Sequence, residues 1–153
     1  MRRKLRFKNF DDIRQELTAL EKGPVATTGQ WSYFQILEHC RKAVEGSMKG
    51  LHRDLSWWKR HVTGPIGMVK TAKDGFIPTG IGSPMKGTPV ERLEGDEKAA
   101  LAQLRQALAD FEKFEGEFSD HPRFGQLSKK NWFLFHSMHL ANHLGHASLK
   151  ENQ

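Results

Sequence analysis

Near the C-terminus of this 153-residue chain, four histidines fall within eleven residues: His136, His139, His143 and His146. Spacings of three, four and three put all four imidazoles on one stripe of an α-helix, because helical neighbours recur at i+3 and i+4. Trp132 extends the stripe. Phe135 and Met138 border it on one side, and Phe133, Leu140 and Leu144 on the other. Burying such imidazoles without partners would cost about 1 to 3 kcal/mol each. Neutral imidazole is also a good ligand for Zn, Ni, Cu or Fe. The stripe therefore points to a metal and to another element that faces it.

The rest of the chain supplies that element as helix. Asn9 precedes Phe10, Ile13, Leu17 and Leu20, spaced by three and four, and Gly23-Pro24 stops the series. A longer helix follows the Thr27-Thr28-Gly29 turn. Its apolar stripe is Tyr33, Ile36, Leu37, Cys40, Val44, Ser47, Met48 and Leu51, with Gln35, Glu38, Lys42 and Glu45 on the opposite side and His39 at the stripe's edge. From Leu55 to Lys73 the pattern predicts a helix broken at Gly64-Pro65. Residues 74 to 90 have the Gly/Pro composition of a long loop. Asp96 starts another helix along Leu101, Leu104, Leu108, Phe111 and Phe118, fraying near Gly116, and Ser128 caps the histidine helix, expected to reach about Ser148. No segment alternates with period two. The expected fold is a single all-α bundle of four to five helices spanning residues 1–153, with residues 1–8 as a basic tail.

Composition removes several alternatives. The hydrophobic fraction is 37%, and with its 14 glycines the chain reaches roughly 45%, the range of globular proteins and not of disordered ones. No apolar run approaches the ~20 residues of a membrane-spanning helix, and no apolar signal core follows the basic start, so a cytoplasmic protein with no membrane partner is expected. Cys40 is the sole cysteine. Internal disulfides and Cys-rich zinc folds are thereby excluded, leaving His or carboxylate to hold any metal. The net charge of +6 invites a nucleic-acid reading, but five of the basic residues lie in the first eight positions and no nucleic-acid-binding motif appears. No nucleic-acid partner is expected.

A metal site needs lone pairs converging on one point about 2 Å away, which a helical His-x-x-x-His pair achieves. His139 and His143 have that spacing. His136 lies two turns from His143 and nearly three from His146, so one ion cannot collect all four. Two ligands from this helix and a third from a facing one is the economical arrangement, and His39 is the natural third. Taken alone, His39 reads more readily as a partly buried histidine with a hydrogen bond than as a ligand. His136, His146 and Asn142 either orient ligands and substrate or are polar surface. His121 caps or packs the turn before Pro122, and His52 and His61, among basic residues, read as exposed. Cys40 on an apolar stripe reads as inert packing.

Two segments resemble a known family. Trp31-Ser-Tyr-Phe-Gln-Ile-Leu-Glu-His39 is similar to the aromatic-start, Leu-x-His helix of the DinB/YfiT-like metal-binding superfamily. His121-Pro-Arg-Phe-Gly, then Trp132, then His136, His139 and His143, resembles its DUF1569 branch, and the resemblance covers nearly the whole chain. It departs around His143, where Asn142 stands in place of a second His beside it and Gly145-His146 in place of an Arg-Gln after it. The resemblance implies a DinB-like four-helix bundle, often paired as a homodimer, that binds a divalent metal, Zn or Ni, through His39, His139 and His143. The exposed or buried state of Trp57-Trp58 bears on that pairing.

Three neutral imidazoles leave a coordination position for water, a substrate oxygen or a thiolate. The expected function is therefore a metal-dependent enzyme, either a hydrolase or, like some DinB relatives, a low-molecular-weight-thiol-dependent transferase with a small-molecule or thiol co-substrate. A non-catalytic metal-binding or stress-response structural module is the alternative, and a closed fourth ligand from His136 or His146 would favour it. No catalytic acid or base is assigned, since Glu38 points away from His39's side.

Overall fold

The computed structural model describes residues 1–50, 56–74 and 94–150. Within them the chain is an all-α bundle, with one two-stranded ribbon as its only sheet among the described residues. Helix α1 is Phe10–Leu20; Asn9 caps it by accepting from the Asp12 amide at 2.9 Å, and Asp11 and Asp12 face the positive end of its dipole. Ile13, Leu17 and Leu20 are buried, as their spacing predicts.

Helix α2, Tyr33–Lys49, begins with a capping box: Ser32 Oγ accepts from the Gln35 amide and Gln35 Oε1 accepts from the Ser32 amide. Gln35, expected on the polar side, is buried for that reason. Leu37, Cys40 and Ala43 are fully buried, and α2 packs most extensively on α4, Glu97–Lys113, capped by Asp96. Phe118 lies beyond the end of α4, since Phe114 terminates the helix before Gly116. It still reaches the core by packing on Phe111 at 5.3 Å between ring centroids.

The expected break at Gly64-Pro65 takes the form of a change in winding. A π-helical turn, Lys59–Thr63, passes directly into α3, Gly64–Asp74, with Pro65, which has no backbone N–H to donate, just past the junction. Trp57 and Trp58 just ahead of it lie on the surface, edge to face and 63% and 67% exposed, instead of in the core. The loop expected over residues 74 to 90 lies outside the described residues apart from Asp74, as does His52.

Helix α5, Lys129–Leu144, is capped by Ser128 as expected but ends four residues earlier than predicted. After Gly145 the chain becomes a strand, β2 (Ala147–Leu149), antiparallel to β1 (Val25–Thr27). Three-residue strands are too short to show an alternating pattern, which is why the sequence does not reveal them. This ribbon joins the approach to α2 to the exit from α5. It is extended by Thr28 donating its amide to the His146 carbonyl at 2.8 Å.

Part of the basic N-terminus, expected to be a solvated tail, is held against this end of α5. The Arg3 amide donates to the Gly145 carbonyl at 2.7 Å, and the Arg3 guanidinium donates to the Ala147 and Leu144 carbonyls, neutralising the negative helix end. Gly145 is required here by contact, not by its dihedral angles: a Cβ would lie 2.6 Å from the Arg3 carbonyl oxygen and 2.9 Å from that of Ala141. Backbone cannot swing aside as a flexible side chain does. Gly145→Ala is therefore expected to destabilise the fold by about 1 to 3 kcal/mol in urea unfolding. An unchanged midpoint would show that the N-terminal segment does not need this contact.

Candidate metal centre

His39 lies midway along α2, and His139 and His143 one turn apart on α5. The packing of the two helices brings them together: the His39 and His139 Nε2 atoms are 3.0 Å apart, and one ligand atom from each of the three residues lies within 4.8 Å of the others. Two nitrogens on a tetrahedral ion at about 2.0 to 2.1 Å are about 3.3 Å apart, so the His39–His139 edge is already near that spacing. His39 and His139 are buried and His143 half-buried. The three rings contact one another, with centroid separations of 4.5 to 4.9 Å.

Aromatic side chains wall this cluster. Trp31 lies parallel to the His143 ring at 5.3 Å and edge-on to His39 at 4.9 Å, while Phe135 stacks on His139 at 5.4 Å. Trp31 reaches His143 because it leaves the ribbon just before the Ser32 cap. Its carbonyl accepts from the Thr27 hydroxyl at 2.8 Å, and Gly29 supplies a backbone φ of +129° in the intervening turn. The sequence shows Trp31 only as an aromatic at a helix start; its position over α5 depends on the ribbon.

Burial dictates the protonation state. His139 is held well below its ordinary pKa by loss of solvation, with the neighbouring histidines adding to the effect. His143 is pushed down to about 3, again chiefly by burial, with smaller repulsions from His39, His146 and Arg2. Both are neutral at pH 7, with lone pairs available, the form in which imidazole binds a metal.

The other histidines go elsewhere. His136 faces away from the cluster into the core, stacked on Trp132 at 5.2 Å and edge-on to Phe111. The Ser47 hydroxyl donates its one proton to the Val44 carbonyl at 2.6 Å and so accepts from His136 Nε2–H at 3.1 Å. Burial lowers the His136 pKa to about 3. The hint in the sequence is Ser47 itself, a hydroxyl on an otherwise apolar stripe. His146 is not on the helix at all; Gly145 intervenes, and His146 Nδ1 donates to the Thr28 carbonyl. Neither residue closes the site as a fourth ligand.

His121 holds a turn, as its place before Pro122 predicts. Its Nδ1 accepts from the Arg123 and Phe124 amides at 3.0 and 3.1 Å, and its backbone exchanges two hydrogen bonds with Gly125. His61 is exposed, and Cys40 is wholly buried with its thiol pKa pushed up by desolvation. Glu38 is ion-paired with Arg41 at 2.8 Å, which in turn pairs with Glu45; the Arg41 hydrogen bond holds the Glu38 pKa below the usual carboxylate range. It is a poor proton acceptor.

With this geometry established, comparison with known families is decisive on one point. The family described as "Protein of unknown function (DUF1569)" matches residues 1–150. The chain belongs to the DUF1569 family. No curated protein and no solved structure matches it. What this DUF1569 chain brings to one place is three histidines able to hold a metal ion, among apolar walls and, among the described residues, with no carboxylate in the cluster. In the described residues no helix is long and apolar enough to cross a membrane.

Proposed function

We propose that this protein is a divalent-metal-dependent enzyme of the DinB/YfiT-like kind, with Zn or Ni held by His39, His139 and His143. The observation that carries the reading is the convergence of three buried or half-buried imidazoles from two helices, with the His39–His139 pair at 3.0 Å. The donor set fits a borderline ion, since imidazole suits Zn and Ni while hard, all-oxygen sites suit Mg or Ca. A metal held there would supply Lewis acidity at a coordination position that no fourth histidine among the described residues fills. The open position favours an enzyme over the alternative, a structural or stress-response module whose metal merely ties α2 to α5.

Between the two reaction classes, the donor set favours transfer to or from a low-molecular-weight thiol. A hydrolase gains from a carboxylate base beside the metal. Glu38 is committed to Arg41 and kept ionised, and the cluster contains no other carboxylate among the described residues. A thiol held by the metal would have its pKa lowered enough to release its proton to bulk water, so this reading needs no such base.

Elemental analysis of untagged protein tests the assignment. Wild type is expected to carry close to one Zn or Ni per chain, and His39→Ala, His139→Ala and His143→Ala to carry almost none. Metal retained at wild-type level by all three variants would remove the triad. With metal bound, glutathione, bacillithiol or mycothiol should raise the melting temperature of an enzyme that uses that thiol. Absence of a shift with every thiol would turn the reading toward a hydrolase.

A further inference from the structure

Helix α3 turns its larger apolar side chains the wrong way. Its inner side is already packed: Met68 is buried, Gly67 lies against Phe124, whose ring is 3.6 Å from where a Gly67 Cβ would stand, and the Thr71 hydroxyl donates back to the Gly67 carbonyl at 2.9 Å. Ile66, Val69, Lys70 and Lys73 form the opposite stripe by their spacing, and together they line a surface cavity of about 440 Å³. Ile66 and Val69 are each more than half exposed. Trp57 and Trp58, equally exposed, stand just ahead of the π-helical turn that leads into α3. Four large apolar side chains on one short stretch are a patch, not the scattered exposure any surface shows.

The charge of the stretch has one sign. From Ser56 to Lys73 the sequence carries Lys59, Arg60, Lys70 and Lys73 and no Asp or Glu. A mate for this surface must therefore accept apolar groups and supply negative charge. A second copy of the chain does not: two-fold pairing sets a patch against itself, so Lys70 and Lys73 would face cations. The surface of an anionic bilayer meets both needs. Aliphatic and indole groups enter the boundary between headgroups and acyl chains, where tryptophan is favoured, while lysine stems lie along the apolar layer and their ammonium groups reach lipid phosphates. The 11 residues of α3 are too few to cross a bilayer. A helix lying in the interface needs no spanning segment, which is why hydropathy along the chain does not reveal it.

We propose that the outward stripe of α3, with Trp57 and Trp58, docks this protein on the surface of anionic lipid bilayers. Ile66, Val69 and the two indoles are the apolar anchors, and Lys70 and Lys73 hold lipid phosphates. None of these residues belongs to the histidine cluster, so docking and metal binding are separable.

Co-sedimentation of the full chain with vesicles tests the proposal, using phosphatidylcholine alone and phosphatidylcholine mixed with phosphatidylglycerol. Wild type is expected to pellet with the mixed vesicles, to stay in solution with phosphatidylcholine alone, and to be released by raised salt. Replacing both lysines, Lys70→Gln with Lys73→Gln, should weaken binding to the mixed vesicles by about tenfold or more. Net charge alone draws a chain of +6 toward an anionic surface, so the decisive variant leaves charge untouched. Ile66→Ser with Val69→Ser should also weaken binding by about tenfold or more, through loss of buried aliphatic area, with circular dichroism and thermal unfolding unchanged because both positions are exposed. Wild type that stays in solution with the mixed vesicles, or an aliphatic double variant that binds within twofold of wild type, would overturn the proposal. So would a dimer in sedimentation velocity that Ile66→Ser with Val69→Ser dissociates, which would give this face to a second copy.

Discussion

Lowering the pH of the metal-free protein from 7 to 5 is expected to remove most of its stability. His136 and His143 have folded-state pKa values near 3, and His139 lies well below its ordinary 6.5, in each case first because burial disfavours the charged ring. The unfolded chain takes up protons on these three rings as pH falls through about 6.5, whereas the folded chain does not, so stability is complete above that pH and declines below it. Each histidine contributes a loss of roughly 2 kcal/mol by pH 5, at about 1.4 kcal/mol per pH unit. Three together approach the whole stability of an ordinary domain. Urea midpoints measured from pH 7.5 to 5 should show uptake of two to three protons on unfolding. A midpoint independent of pH across that window would mean that the rings are not held neutral. In the metal-loaded protein, release should coincide with unfolding instead of tracking a titration near pH 6.5, because His139 and His143 are already neutral well below that value.

Removing one imidazole from the triad should cost metal affinity far more than fold stability. Even residues that only orient a ligand are worth 10- to 100-fold in affinity, so His139→Ala is expected to weaken metal binding by more than about 100-fold. At 100 times its dissociation constant, Zn should stabilise wild type by about 2.7 kcal/mol. His139→Ala, His39→Ala and His143→Ala should lose that stabilisation, whereas His136→Gln should keep it, since the His136 ring belongs to Ser47 and Trp132. Calorimetric titration of Zn into the four variants checks both halves. Loss of Zn binding in His136→Gln comparable to that in His139→Ala would place His136 among the ligands.

Much of the helical frame is written locally. Asn9, Asp96 and Ser128 are caps recognisable from residue type and position, and the starts and apolar faces of α1, α2 and α4 follow from period-3.6 spacing, with their burial as expected. The errors fall where a distant segment decides. The α5 stripe continues through His146 by spacing alone, yet the helix stops at Leu144 because Arg3 takes its terminal carbonyls and β1 pairs with residues 147 to 149 just beyond it. Gln35 looks solvent-facing on a helical wheel, but its side chain turns back to the Ser32 amide.

For the site, spacing marks His139 and His143 as neighbouring histidines able to share one ion, and makes a third donor from another helix the economical complement. Those are local facts, fixed by 3.6 residues per turn and the reach of an imidazole. That His39 is brought to 3.0 Å from His139 across a hundred residues is a result of α2 packing on α5, as is the Ser47 partner of His136, while the Trp31 wall depends on the ribbon and Arg3 docks on the end of α5. No periodicity encodes such contacts, because each joins side chains whose separation along the chain carries no information about their separation in space. The sequence by itself determined the helices and the histidine stripe; only tertiary packing decided which of those histidines converge and what surrounds them.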